Sequence, residues 1–291
     1  MNSEFIVPQE QTARQAEFVL SILLKAFRLA PGGLASRGLG ALVRQPILRF
    51  TRLFGEIEQA ASRYGLATAA RHGLQQFAQL VKVTGNEHIP AKGPLLIVSN
   101  HVGAFDILVI LSQILRNDLK VIASDVALLR SFPILAQYLI FTNFEAGSGM
   151  QAARKALRHL KDGGALLLFA SAGIDPDPAL YPQQARQELH NWKPSLDLFL
   201  RQVPEAQVIV TMVSGIVAPR WAEYPLTRIG KRPIDKRRIA EILQIMEQIL
   251  FPGRLLMQPS IRYHTPMTRD ELEGDARLAL IYKAEQILDQ A

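Results

Sequence analysis

Two residues in the run LLIVSNHVGAFDILVILSQIL, Leu95 to Leu115, have the types and spacing for acid–base chemistry: His101 and Asp106, with four residues between them. An imidazole is the side chain whose ordinary pKa lies closest to neutrality. A carboxylate that accepts a hydrogen bond from one ring N–H fixes the tautomer and leaves the other nitrogen free as a general base. This pair is two thirds of a catalytic triad. The third member, a nucleophile on the protein, is unnecessary if the substrate brings its own hydroxyl. A histidine and an aspartate also fall at this spacing by chance, so the surrounding elements must carry part of the argument.

Those elements favour a site. An apolar run ends at Ser99, the polar pair Asn100 and His101 follows, and Gly103 precedes a second apolar segment with Asp106 near its start. That order predicts a buried strand, a tight turn and the first turn of a helix. A histidine at the carboxyl end of a buried strand stands where open α/β sheets hold their ligands.

Asn100-His101, four residues and then Asp106 after an apolar strand resemble the signature of the glycerolipid acyltransferases, the lysophosphatidate and glycerol-3-phosphate acyltransferases among them. IASDVALLRSFPILAQYLIFTNFEAG, Ile122 to Gly147, resembles the region of that family's second block, and GGALLLFASAGIDPDP, Gly163 to Pro178, falls where its third is expected. The resemblance runs from near Val83 to near Val217. It implies that His101 deprotonates an acceptor hydroxyl, that Asp106 orients it, and that the hydroxyl attacks an acyl thioester. The co-substrate would be acyl-CoA or acyl-carrier protein, the acceptor a lipid, with no cofactor and no metal.

Two blocks depart from the family pattern. Ile140 and Phe141 match the second, but Asn143 and Phe144 stand where it has Asp-Arg. In the third, Phe169 matches, Ala170, Ser171 and Ala172 do not, and the glycine comes one place late as Gly173. Neither asparagine nor phenylalanine offers the fork of donors with which arginine matches phosphate oxygens. The departures therefore argue against lysophosphatidate as substrate more than against acyl transfer. Asn143, Ser171 and Gly173 remain the candidate substrate contacts, Gly173 because a missing side chain lets a substrate approach closely.

Ser171 also supports a rival reading. It follows a strand, as an esterase nucleophile does, and His190 and several aspartates lie near it in sequence. Phe169 replaces the first glycine of that elbow and would crowd the sharp turn, which puts a serine esterase below acyl transfer. A non-catalytic lipid-binding relative is the third reading.

Short apolar or β-branched runs at Val81–Val83, Leu119–Ala123, Tyr138–Thr142, Leu166–Phe169 and Gln207–Val213 alternate with helical segments such as Met150–Lys161. The fold class predicted is α/β, a mixed sheet flanked by helices, with a helical amino-terminal region. The expected division is residues 1–80 as a helical region facing a membrane or packed on the core, and residues 81–291 as the acyltransferase-like domain. Gly163-Gly164 is expected to stop the helix ending near Lys161. Ile239–Leu250 reads as an amphipathic helix stopped by Pro252-Gly253, and Thr268 with Glu271 as a capping box opening a last helix through Leu278, Ile281 and Ile287. His88, before Pro90, is expected to face solvent, and Trp192 to anchor the polar loop that follows Asp175-Pro-Asp-Pro178.

The chain has 291 residues, 48% of them hydrophobic, a formal charge of +7 and no cysteine. Disulfides, thiol nucleophiles and cysteine-type zinc sites are excluded, and a reducing compartment fits. The balance of charge suits an anionic membrane surface or an acidic carrier protein. Nucleic acid ranks below these, since no aromatic-basic recognition motif accompanies the charge. Met1–Gln11 lacks the basic start and apolar core of a secretory signal. Phe18–Leu29 is apolar but interrupted by Lys25 and Arg28, and falls short of the roughly 20 residues that cross a bilayer. After Pro31-Gly32-Gly33, Leu34–Phe54 interleaves Arg37, Arg44, Arg49 and Arg52 with apolar residues. Such a segment can lie among lipid headgroups or form a helical subdomain on the core. Glu56–Leu80 reads as a second helix or a broken pair. The basic helix from Arg154 to Lys161 and the basic region from Arg220 to Arg238 are either solvated faces or contacts for a carrier protein, coenzyme A phosphates or lipid. The expected location is cytoplasmic, peripheral on a membrane.

Overall fold

A computed structural model describes residues 5, 7, 9–26, 29, 30, 32–143 and 148–290. Residues 1–4, Arg28, Pro31, Phe144 and Gly147, used above, lie outside the described residues. The strands are β1 (Lys82–Thr84), β2 (Leu95–Ser99), β3 (Lys120–Ser124), β4 (Leu139–Thr142), β5 (Ala165–Phe169), β6 (Gln207–Ser214) and β7 (Ser260–Tyr263). They form one mixed sheet in the order β1-β7-β6-β2-β5-β3-β4. All neighbours are parallel except β6 and β7. From β2 the chain runs outward to β3 and β4, returns as β5 to β2's side, and crosses to the other side as β6. That reversal of direction at β2 marks the place where α/β sheets open a crevice.

β2 is buried along its whole length, as a central strand with parallel neighbours on both sides must be. Its pleat divides the core. Leu96 and Val98 join Leu166, Leu168, Val208 and Val210 under the helices Ser148–Lys161, Ser195–Gln202 and Ala276–Asp289. Leu95 and Ile97 point the other way, into a cluster with Phe77, Phe105, Val109, Leu167 and Ile209. Trp192 is fully buried in the first cluster, and His88 has an exposed side chain.

The long helix Leu34–Tyr64 runs without interruption through Pro46 and past Phe54, where the change in charge pattern suggested a boundary. Charge composition alone does not break a backbone. The break comes at Gly65, whose φ of 81° is unfavourable for other L-residues, and Leu66–Leu74 follows. Val43, Ile47 and Leu23 pack against Ile242 and Met246 of the helix Pro233–Leu250. Arg49 donates to the Ile249 and Leu250 carbonyls at the end of that helix, so this arginine of the basic segment is spent on the protein itself. Leu34 and Leu42 remain 88% and 75% exposed, alongside exposed Arg37 and Arg44.

Three further sequence expectations shift. β7 carried no alternation long enough to be noticed. The helix expected from Ile239 begins at Pro233, whose fixed φ suits the first helical position. The Thr268–Glu271 capping box forms but opens only the short 3-10 turn Arg269–Glu271. The last helix, Ala276–Asp289, is capped instead by Asp275, which accepts from the Leu278 amide.

Gly85 packs against the backbone of β7: an added Cβ would stand 2.4 Å from the Tyr263 carbonyl oxygen, and its φ is +81°. Gly85→Ala should therefore cost roughly 2 kcal/mol or more of stability, from the left-handed conformation and the clash together. Urea unfolding checks this; an unchanged midpoint would contradict the close approach.

Candidate active site

His101 stands two residues beyond the end of β2, and Asp106 opens the helix Asp106–Leu111. The turn between them brings His101 Nδ1 to 2.9 Å from Asp106 Oδ2. The same oxygen accepts from the Val102 amide at 2.6 Å and the Gly103 amide at 3.2 Å. Asp106 is fully buried, whereas the His101 side chain is 29% exposed. A carboxylate with no solvent contact needs such donors, and here the amides that hold it also shape the turn. Nδ1 carries the proton donated to Asp106, which leaves Nε2 toward the open side, with no partner among the described residues. The ring lies on Phe169, centroids 4.3 Å apart.

Asn100 fixes the strand end. Its side-chain amide donates to the Val213 carbonyl and accepts from the Val213 amide, both at 2.8 Å, so the side chain mimics one more sheet residue beside β6. Only a group with donor and acceptor together satisfies both backbone atoms in this buried place.

Two aspartates after β5 complete the frame. Asp175 accepts from the His101 amide at 2.8 Å through Oδ2 and donates its own amide to the His101 carbonyl. Asp177 accepts from the amides of Gly215, Ile216 and Val217 and from that of Ala179. The segment Asp175-Pro-Asp-Pro178, read above only as a loop, thus ties the ends of β2, β5 and β6 together. Its signal was present in the sequence: two acids between prolines just after a strand, at the sheet edge where amides are left over.

Glu241 was not anticipated. It comes from the helix Pro233–Leu250, accepts from the Ala104 amide and faces the imidazole, with Oε1 3.9 Å from where a Gly103 Cβ would lie. Nothing local marks it, since an acid in an amphipathic helix ordinarily faces water. Gln244, one turn on, holds the Ile216 carbonyl and the Ala218 amide and so fixes that helix to the loop after β6.

The Ser171 hydroxyl donates to the Gly173 carbonyl at 3.4 Å and accepts from the Gly173 amide, while His190 is exposed and makes no contact with it among the described interactions. The Gly173 amide is taken up by Ser171 Oγ at 3.2 Å. Asn143 follows β4, on the same sheet edge but three strands from β2, roughly 14 Å at the usual strand spacing. Ser171 and Gly173 therefore lie in the loop between Phe169, on which the imidazole rests, and Asp175, which holds the His101 amide, whereas Asn143 lies three strands away. Between Ser171 and Gly173, Ala172 has a φ of 57°, an uncommon conformation for a side-chain-bearing residue and one that gathers at functional turns.

The acids outweigh burial at the imidazole. Desolvation, the largest single influence, lowers the His101 pKa, but Asp106, Glu241 and Asp175 together push it up to about 9. Burial raises Asp175 to about 6 against the opposing effects of Ser171 and the His101 amide. Burial likewise raises Glu241 to about 7, against the attraction of His101. Among the described residues no cluster of acids and histidines could hold a metal.

An apolar cavity of about 650 Å³ opens beside this turn. Its inner end includes Ala104, Ile174 and Glu241, and its walls include Leu23, Ile47, Phe50 and Ile245. A smaller one of about 130 Å³ shares Phe50, Ala104 and Ile245 with it. Arg232 and Arg238 stand on the rim of the larger.

The histidine–aspartate pair stands at the carboxyl end of the central strand, with an apolar cavity lined by the neighbouring Ala104, Ile174 and Glu241. Residues 80–213 match the family model Acyltransferase, so this part of the chain is similar to acyltransferase domains. Among solved structures the chain is similar to the 1-acyl-sn-glycerophosphate (LPA) acyltransferase PlsC from Thermotoga maritima, with 16% identity over 97% of this chain and 96% of that one and a TM-score of 0.44. No curated protein matches the sequence.

Two outcomes are expected. Asn100→Asp leaves the Val213 carbonyl without its donor and buries a charge, which should cost roughly 2–4 kcal/mol in denaturant unfolding. Stability should also fall as pH rises from about 5 to 9. Asp175, Glu241 and His101 each bind a proton more tightly folded than unfolded, over windows of 3.8 to about 6, 4.5 to about 7 and 6.5 to about 9. Thermal unfolding across that range tests it; stability rising toward pH 9 would refute the arrangement of charges.

Proposed function

We propose that the protein transfers a fatty acyl group from acyl-CoA or acyl-carrier protein to a hydroxyl of a lipid acceptor, with His101 as general base. The observation that carries this reading is the 2.9 Å contact of His101 Nδ1 with a buried carboxylate, which leaves Nε2 without a partner among the described residues, while the nearby Ala104, Ile174 and Glu241 line an apolar cavity. Nε2 takes the acceptor's proton as its oxygen attacks the thioester carbonyl. The tetrahedral intermediate collapses, the carbon–sulfur bond breaks, and the imidazolium returns the proton to the departing thiolate. No acyl-enzyme forms. Asp106 holds the tautomer and stabilises the imidazolium, as the acid of a triad does.

The cavity supports a long acyl chain. Ser171 and Gly173, in the loop that follows Phe169, serve the acceptor in this reading; Asn143 serves only a part of the substrate that extends along the sheet edge. The catalytic role needs no cofactor or metal. Exposed Leu34 and Leu42 beside Arg37 and Arg44, with exposed Ile22 and Lys25 at the cavity rim, support a peripheral position on an anionic membrane at the cytoplasmic face. No helix among the described residues is long and apolar enough to cross a membrane.

The test is incubation with labelled acyl-CoA and acyl-carrier protein against a panel of lysolipids, including phosphate-free alcohols. His101→Ala should lose 10²- to 10⁴-fold in rate, roughly the range for a positioned base, while Ser171→Ala should raise the acceptor KM and leave kcat within about tenfold, where an esterase nucleophile would lose kcat altogether. With His101 protonated up to about 9, kcat/KM should climb about tenfold per unit well below that pH and level off above it. A profile flat from pH 6 to 9, or transfer undiminished in His101→Ala, would rule the base out.

A further inference from the structure

We propose that Glu241 is a positioning residue of this site: it holds the Gly103–Ala104 turn from the helix Pro233–Leu250 and sets a second carboxylate near the His101–Asp106 pair. The geometry is specific. Its carboxylate accepts from the Ala104 amide, lies 3.9 Å from where a Gly103 Cβ would stand, and forms part of the inner end of the larger cavity. The helix that carries it is not free to turn, because Gln244 is bonded to Ile216 and Ala218 and Ile242 and Met246 pack on the amino-terminal helices. A carboxylate in that place has two effects. It keeps the turn amides aimed as Asp106 requires, and it favours the imidazolium formed when the acceptor gives up its proton.

The charges around His101 can be named element by element. Asp106 comes from the helix that follows the turn, and Asp175 from the loop after β5, with Glu188 behind it. The helix Pro233–Leu250 contributes Glu241 and, on the rim, Arg238. Arg237 of the same helix is turned to the Ile174 carbonyl. The loop after β6 offers only amides, bound to Asp177. Of the acids, Asp106 is sealed from solvent and Asp175 lies under the backbone of His101. Glu241 is the one that borders the cavity, so an entering substrate changes its surroundings first.

The inference rests on the acyl-transfer reading for its chemistry, and the experiment separates the two. Glu241→Gln keeps an oxygen for the Ala104 amide and removes the charge. The His101 ring is titrated by NMR in wild type and in this variant, and the pH profile of acyl transfer is recorded for both. The expected result is a His101 pKa about one unit lower in the variant, typical of losing a nearby opposite charge, with the acid limb of the rate profile moved by the same amount and kcat reduced more than KM is raised. Wild type alone should show a second inflection of the His101 resonances near neutrality as Glu241 ionises, a measurement that requires no variant to fold. An unchanged His101 titration in a folded Glu241→Gln protein, or the absence of that inflection, overturns the inference. A shifted titration in a protein without acyl transfer would support the placement of Glu241 and count against the proposed function.

Discussion

The contact between His101 and Asp106 depends on a carboxylate that water does not reach. Removing Asp106 from solvent is tolerable only because it receives two backbone amides of the turn as well as the imidazole N–H. The amides cannot be offered unless the chain reverses tightly after β2, and that reversal holds because neighbouring strands clamp its start. Asn100 stitches it to β6, and Asp175 stitches it to the loop after β5. The catalytic geometry is thus a consequence of how the sheet ends, and the sheet's seven-strand order brings β5 and β6 to either side of β2.

Electrostatics at the site oppose one another by design of the fold. Burial alone would strip the imidazole of its proton, but three carboxylates from three different elements retain it to about 9. Two of those acids, Asp175 and Glu241, are themselves raised by burial. Proton affinity is therefore shared over the cluster, and each member's charge depends on the others. An imidazole with this proton affinity is mostly protonated at neutrality and is free to accept a proton only as pH approaches 9.

The amino-terminal helices belong to this arrangement. Leu34–Tyr64 and Gln9–Ala26 supply one wall of the larger cavity, and Pro233–Leu250 supplies the other together with Glu241. The same helices expose Leu34 and Leu42 on the outside. The amino-terminal helices thus do two things at once, closing an apolar cavity on one face and presenting apolar and basic side chains on another.

Much was legible from the amino-acid order because it is local. The apolar run at Leu95–Ser99, the polar pair at its end and Asp106 five places after His101 specify strand, turn and helix by short-range rules, and the contact follows from the turn. The alternation of strands and helices likewise announced an α/β sheet. What the order could not reveal depends on distant partners: Glu241, some 140 residues further along the chain, Arg49 meeting the end of Pro233–Leu250, the aspartates after β5 bridging three strands, and a capping box spent on a 3-10 turn. Glu241 and Arg49 are unremarkable where they stand in the sequence, while the aspartates and the capping box are marked there but not their partners. Their roles arise only when tertiary packing chooses their neighbours, since hydrogen bonds and charges act over a few ångströms of space whatever the length of chain between them.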